Sequence, residues 1–346
     1  MLAVVVHGPN DLRIDDVAEP VPAPGHVLVE LEWGGICGSD LSYWKHGASG
    51  TAVLREPLIL GHEVAGRVAA IGPDAVAELA ARGIEVGTPV ALHPATLVGD
   101  HAMPADLAHR TNLWPEVRYF GSAAFLPHEQ GGFCRYRAVR PDQLRVVPEG
   151  VSTKEAALAE PLAVALHAVS RAGDLGGRTV LVNGAGPIGA LVVAAARAKG
   201  AAVVTAVDPS PAARAIASRM GASVVVEPGV DALPTDVDVA FEASGVPGTL
   251  GSVIAAVRRG GVLVQVGNLP GGDVSATLGN LVTREIDYRG SYRFIDEISE
   301  ALELMASGLD VGPLMTHEVS IGDAARGFAL AADRSTGSSK VMIRLS

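Results

Sequence analysis

TVLVNGAGPIGALVV, Thr179 to Val193, reads as a strand, a glycine-rich turn and the opening of a helix. The β-branched run before the turn is a buried-strand pattern, and Ile188, Leu191, Val192 and Ala195 recur at helical spacing. Gly184, Gly186 and Gly189 stand between them at GxGxxG spacing, followed into the helix by Pro187 and Ile188. In such a turn the first glycine permits a tight bend, the second admits a pyrophosphate to the backbone, and the third lets helix pack on strand. Free N–H groups at the helix start then bind the anion. With 41 glycines in the chain the spacing alone is weak. Its context strengthens it: Asp208 ends the next strand candidate, 19 residues after Gly189. A carboxylate there accepts hydrogen bonds from ribose hydroxyls and repels a 2′-phosphate, so NAD is expected over NADP. Arg214, six residues beyond, stands where it can soften that preference. The plainer alternative is a turn that needs glycine only for packing, with Asp208 a helix cap.

Working outward, six strand candidates alternate with Ala-rich helical stretches: TVLVNG, AVVTAVD, SVVVEP, VDVAFEAS, VLVQVG and IDYRGS. Near-continuous valine runs separated by helices predict a parallel sheet covered on both faces, a doubly wound α/β domain over residues 151–290. Residues 1–150 are different, with short strands such as HVLVELEW, EVAGRVAAIG, GTPVALHP and GFCRYRAV broken by Gly and Pro. After Gly290 a helical stretch, DEISEALELMASG, leads to KVMIRL, a strand expected to rejoin the β-rich body. The doubly wound domain is thus read as an insertion between residues 1–150 and 291–346.

Composition narrows the class of partner. Of 346 residues 48% are hydrophobic, and 27 basic against 38 acidic side chains give a net charge of −11, which argues against general affinity for nucleic acid or anionic membrane. The longest apolar runs are interrupted, one by Glu160 and Pro161 and the other by Arg197 and Lys199, so no membrane span is expected. MLAVVVHGPNDLRIDD lacks a basic leader and a long apolar run, and a cytoplasmic location is the expectation. The two cysteines, Cys37 and Cys134, are read as thiols. A small molecule is the expected partner.

Metal-ligand chemistry clusters in two stretches. Cys37 lies in GGICGSDLSYWKHG, and His62 and Glu63 lie in GHEVAG. A second acid, Glu160, sits among Leu158, Ala159, Pro161 and Leu162, where a buried carboxylate needs a partner. Cys, His and carboxylate together suit a zinc ion with one position left open. Each alone has a blander reading: a small apolar thiol, a strand-edge histidine, a surface acid. Asp40, three residues past Cys37, is placed to accept the second imidazole N–H of a ligating His62.

GGICGSDLSYWKHG, GHEVAGRVAAIG, EPLAVALHA and GAGPIGAL, in this order and at these separations, resemble the zinc-dependent medium-chain alcohol and polyol dehydrogenases. The resemblance covers essentially the whole chain. It implies a GroES-like catalytic domain, a Rossmann domain, and an active site in the cleft between them. It further implies zinc ligation by Cys37, His62 and Glu63, with Glu160 a ligand or a partner of the zinc water. Ser39 matches the hydroxyl that passes the substrate proton outward. Tyr43 matches a substrate contact of polyol dehydrogenases, and Arg293 in GSYRF an arginine near substrate and nicotinamide. Val266, Gly267, Ser291 and Tyr292, in the turns after the last two strand candidates, join the expected cofactor contacts. A homo-oligomer, dimer or tetramer, is also implied.

The chain departs from that pattern in one lobe. HPATLVGDHAMPADLAHRTNLWPEVRYFGS contains no cysteine, so a second, structural zinc on four cysteines is excluded. His93, His101 and His109 with Asp100 and Asp106 have no spacing that makes a tight substitute site, and Leu107, Leu113 and Trp114 are the candidate lobe core. RYFGSAAFLPHEQGGF, EPLAVALHA and GSYRF look most like the L-idonate 5-dehydrogenases, which implies oxidation of a sugar acid to 5-ketogluconate. Sorbitol and xylitol dehydrogenases come next. Arg293, Lys45 and Arg118 are candidate cations for the substrate carboxylate. Two rivals differ in class: a non-catalytic nucleotide-binding protein, and a zinc-free quinone or enone reductase that would use NADPH.

Overall fold

All 346 residues are described by the computed structural model. The chain divides into two compact units, one of Met1–Glu160, Ile298–Ala306 and Met315–Ser346, the other of Pro161–Glu297 and Ser307–Leu314. The first change of unit comes later than the change of sequence texture at Val151. The reason is local. The short helix Thr153–Ala156, capped by Ser152 accepting from Glu155 N–H, packs on the strands Val27–Gly35, Glu63–Ile71 and Pro89–Leu92 of the first unit.

The first unit is built on a seven-stranded sheet. Six of its strands run in the order Leu144–Val146, Pro89–Leu92, Glu63–Ile71, Val27–Gly35, Lys340–Arg344 and Met315–Ser320, with Tyr136–Val139 also paired to Val27–Gly35. Pairing is antiparallel except between the last two. In Val27–Gly35, Val27, Val29 and Leu31 are fully buried and their neighbours are not, as period-2 alternation requires. The C-terminal stretch Lys340–Arg344 rejoins this sheet against Trp33, Gly34 and Gly35. In the cysteine-free lobe Ala95–Leu97 pairs with Val117–Tyr119. Trp114 anchors there by donating its indole N–H to Val98 O at 2.8 Å, with His101 edge-on against it. Leu107 and Leu113 are only half-buried.

The second unit holds six parallel strands in the order Val224–Val226, Val203–Val207, Thr179–Asn183, Val237–Glu242, Val257–Gln265 and Asp287–Gly290. Numbered along the chain this is 3-2-1-4-5-6, the Rossmann order, whose switch point lies between Thr179–Asn183 and Val237–Glu242. Leu181, Ala240 and Leu263 form its core with Val253 and Ile254 from the helix Leu250–Ala256. No helix of the chain is long and apolar enough to cross a membrane.

Candidate metal centre and cofactor turn

Cys37 stands at the junction of the strand Val27–Gly35 and the helix Gly38–His46, as the residue that caps the helix. Asp40, fully buried in the first turn, accepts the Cys37 backbone N–H at 2.8 Å on one carboxylate oxygen. Its other oxygen accepts the Gly61 N–H at 3.2 Å. One side chain thus ties the segment bearing Cys37 to the segment that enters His62. The His62 ring, the partner expected for Asp40, is not among its hydrogen-bond donors, but the Asp40 carboxylate acts on that ring electrostatically. Gly61 has φ +96°, and a side-chain carbon there would lie 2.3 Å from the Phe133 ring.

Glu63 opens the strand Glu63–Ile71 opposite Gly35 and is fully buried. A Cβ at Gly35 would come within 2.3 Å of a Glu63 carboxylate oxygen, so glycine is required by close approach. Lys340 Nζ donates to both Glu63 oxygens, at 2.7 and 2.8 Å, and to the Ile36 carbonyl at 3.1 Å. Lys340 itself is 2% exposed. The Cys37 sulfur, a His62 ring nitrogen and a Glu63 carboxylate oxygen lie within 4.8 Å of one another. The histidines of the cysteine-free lobe do not belong to this group.

Glu160, expected as a ligand or as a partner of the zinc water, lies outside that group of three but acts electrostatically on the His62 ring. Its Oε1 accepts the Tyr119 hydroxyl at 2.5 Å in a buried pair, which leaves Oε2 as its open oxygen. Neither Tyr119 nor Lys340 was among the expected site residues. Tyr119 lay in the stretch RYFGSAAF with no role attached to it, and the signal at Lys340 was only a charge at the head of an apolar strand.

The electrostatics of the centre favour a cation. Burial by itself depresses the His62 ring, but the Cys37 sulfur and the Asp40 and Glu160 carboxylates outweigh it and raise the ring to about 10. Burial raises Asp40 and Glu160, with the nearby Glu63 adding to both. Burial works against the Lys340 ammonium, yet Glu63, Cys37 and Glu160 together hold its pKa above the usual lysine value. Three buried carboxylates, Asp40, Glu63 and Glu160, and the half-buried Cys37 thiol lie around the His62 ring and the Lys340 ammonium. Buried negative charge is kept only when paired or bound to metal, so this donor set suits a divalent ion.

The remaining expected residues of this unit fall in different settings. Ser39 is half-buried, with no hydrogen-bond partner for its hydroxyl in the chain. Tyr43 is 3% exposed, and its hydroxyl oxygen accepts the Ala123 N–H at 3.0 Å, leaving its own hydrogen to donate. Arg118 donates to Glu116 and to the carbonyls of Leu126 and Pro127. Lys45 stands over the Trp44 ring.

In the second unit the glycine turn has the geometry of an anion cradle. Gly184 has φ +91°, and a Cβ there would lie 2.6 Å from Ser244 N. A Cβ at Gly189 would lie 1.8 Å from Gly184 O, whereas one at Gly186 would meet nothing within 4 Å. The first and third glycines are therefore demanded by packing, and the second faces open space. Gly186 precedes the helix Pro187–Ala198, whose start no side chain caps. Asp208 accepts the Ala185 N–H at 2.9 Å and the Ser210 N–H at 2.8 Å, one on each oxygen. Each oxygen keeps a further lone pair for a ribose hydroxyl. Val266 and Gly267 donate their N–H groups to Glu242 O, and the buried Ser291 hydroxyl has no partner. Arg293, in left-handed backbone at φ +51°, stacks over the exposed Tyr292. Arg214 is turned to Glu227 and to two carbonyls.

Comparison with known proteins places the chain in one family. The alcohol dehydrogenase GroES-like domain model matches residues 23–149, and the zinc-binding dehydrogenase model matches residues 187–307. Escherichia coli K12 L-idonate 5-dehydrogenase (NAD(P)(+)) is 37% identical over 324 residues, 92% of this chain and 91% of that protein. The chain belongs to the zinc-binding dehydrogenases. Within them it groups with the polyol dehydrogenases: Bos taurus sorbitol dehydrogenase is 34% identical over 340 residues, 94% of this chain and 92% of that protein. The crystal structure of L-idonate 5-dehydrogenase from Escherichia coli K-12 superposes with a TM-score of 0.91 at 34% identity, covering 99% of this chain and 97% of that one. As a zinc-binding dehydrogenase of this group the chain is an NAD(P)-linked alcohol dehydrogenase with a GroES-like and a Rossmann domain.

Proposed function

We propose that the chain oxidises a secondary hydroxyl of a sugar acid or polyol with NAD, using one catalytic zinc held by Cys37, His62 and Glu63. The observation that carries this reading is the convergence of those three ligand atoms within 4.8 Å. One sulfur, one nitrogen and one oxygen ligand leave a fourth position for a small molecule. When bound, zinc supplies Lewis acidity that lowers the pKa of a hydroxyl presented to it, and NAD supplies the hydride acceptor.

The chain's own groups do the rest. Asp40 fixes the spacing between the Cys37 and His62 segments through two amides. Lys340 fixes the Glu63 carboxylate. The Ser39 hydroxyl takes the proton of the substrate hydroxyl and hands it outward. Glu160, oriented by Tyr119, offers Oε2 as an acceptor to water or substrate, and Tyr43 donates its hydroxyl hydrogen to a substrate oxygen. In the Rossmann domain Gly184, Gly186 and Gly189 cradle the pyrophosphate and Asp208 takes the ribose hydroxyls, which favours NAD over NADP.

L-Idonate, oxidised to 5-ketogluconate, is the favoured substrate, supported by the 37% identity to the enzyme named for it. Sorbitol or xylitol is the second reading, supported by the 34% identity to sorbitol dehydrogenase. A panel of L-idonate, D-gluconate, sorbitol and xylitol, each with NAD and NADP, separates them: the highest kcat/KM is expected on L-idonate with NAD, and a maximum on sorbitol would overturn that choice. Metal analysis is expected to find about one zinc per chain. Cys37→Ala should lose that zinc and at least about a thousandfold in rate, since Lewis-acid stabilisation is worth several kcal/mol. Undiminished NADH formation by zinc-free Cys37→Ala would sink the mechanism.

A further inference from the structure

Arg214 and Glu227 hold each other where the cofactor's ribose edge is expected. Arg214 lies in the first turns of the helix Pro211–Arg219, directly after the Asp208 turn. Its Nη1 donates to the carbonyls of Asp208 at 2.8 Å and Pro209 at 2.9 Å, and its Nη2 to Glu227 Oε2 at 2.5 Å. Glu227 follows the strand Val224–Val226, whose last carbonyl accepts the Asp208 N–H at 3.2 Å. The ends of two neighbouring strands are thereby bridged by one guanidinium within hydrogen-bonding distance of the residue that selects NAD. The Arg214 side chain is 15% exposed and that of Glu227 is 43% exposed.

In dinucleotide sites of this order, an acid after the second strand selects the free 2′-hydroxyl, and a nearby arginine accommodates a 2′-phosphate. This chain has both residues. We propose that Glu227 is a positioning residue for cofactor choice: by neutralising and orienting Arg214 it withholds that guanidinium from a 2′-phosphate, so that repulsion from Asp208 acts unopposed. The inference rests on the proposed reading of the glycine turn as an NAD site. It assigns NAD preference to a three-residue arrangement of Asp208, Arg214 and Glu227 rather than to Asp208 alone. Removing the Glu227 charge frees a bidentate donor that pairs with phosphate through charge-assisted hydrogen bonds.

The test is equilibrium titration of the purified full-length protein with NADH and with NADPH, followed by nicotinamide fluorescence. Wild type should bind NADH more tightly. In Glu227→Gln the preference for NADH should fall about tenfold, the equivalent of roughly one charge-assisted hydrogen bond gained by NADPH. Glu227→Asp, which keeps the charge, should stay near wild type. Adding Arg214→Ala to Glu227→Gln should restore the preference, an effect that a purely structural role for the pair would not produce. Glu227→Ala gives the same reading if the glutamine variant folds poorly. A Glu227→Gln preference equal to wild type, or one lowered but not restored by Arg214→Ala, overturns the proposal while leaving the NAD site intact. Failure of wild type to bind either nucleotide overturns both.

Discussion

Lys340 and Glu63 form a buried pair at the candidate metal centre. Both are almost wholly out of water, and three hydrogen bonds satisfy the ammonium. Such a pair adds little net stability over apolar residues of the same volume, but removal of one partner strands the other charge. Lys340→Met should therefore destabilise the fold by about 3–5 kcal/mol in urea unfolding and reduce zinc retention. The double variant with Glu63→Gln should cost less than the sum of the two single changes. Asp40→Ala removes the acceptor for two amides, Cys37 N–H and Gly61 N–H. An unsatisfied buried donor costs roughly 1–3 kcal/mol, so a lower thermal midpoint and weaker zinc binding are expected. Unaltered zinc affinity in Asp40→Ala would show that the two ligand segments hold their spacing without it.

At the scale of elements, the Rossmann turn depends on a contact that tolerates no side chain. Gly189→Ala would place a methyl carbon 1.8 Å from Gly184 O. Relief requires helix and strand to separate, at a cost of ~1–3 kcal/mol. The expected result is a lower melting temperature together with loss of NADH binding; Gly186→Ala, with open space at its Cβ, should lose NADH binding at little stability cost. Asp238 joins two central strands of the same sheet. It accepts from Thr179 N and Oγ1 and from Arg258 Nε. These bonds, the Thr179 amide first, hold its pKa down at about 2. A depressed folded pKa means that the unfolded chain binds the extra proton first, so this stability is present above the unfolded value and is lost as pH falls toward the folded one. The stability difference between wild type and Asp238→Asn should be full at neutral pH, shrink between roughly pH 4 and pH 2, and vanish below. Urea midpoints that differ equally at pH 6 and near pH 2 would contradict this.

At the scale of the whole molecule, the two sites are separable in sequence and in readout. The proposed zinc ligands belong to the first unit and the glycine turn to the second. Ligands that bind only the folded state raise its stability by mass action. Zinc removal by a chelator and addition of NADH should therefore each shift thermal unfolding, the first downward and the second upward. Hydrogen exchange should place the chelator's effect around residues 37–63 and that of NADH around residues 184–210. A uniform response across the chain to either treatment would count against separate sites. The six-stranded sheet ends in the strand Asp287–Gly290, with Tyr288 41% exposed. We expect a dimer or tetramer in solution, which light scattering would establish.

The strand Val27–Gly35 and the six strands of the Rossmann sheet were legible because each is a local pattern: period-2 alternation in one case, valine runs closed by glycine in the other. The glycine turn was legible for the same reason, and so were Cys37, His62 and Glu63 once their motifs stood in order. Tertiary structure alone decided the partners. Asp40 was read only against the His62 imidazole, and the fold brings it the Cys37 and Gly61 amides. Lys340 lies 277 positions from the carboxylate it holds, and Tyr119 lies 41 from the one it donates to. Arg214 read as a free cation until the next strand brought Glu227 against it. Backbone preference and burial pattern are written within a few residues, whereas the pairing of buried charges depends on which strands become neighbours.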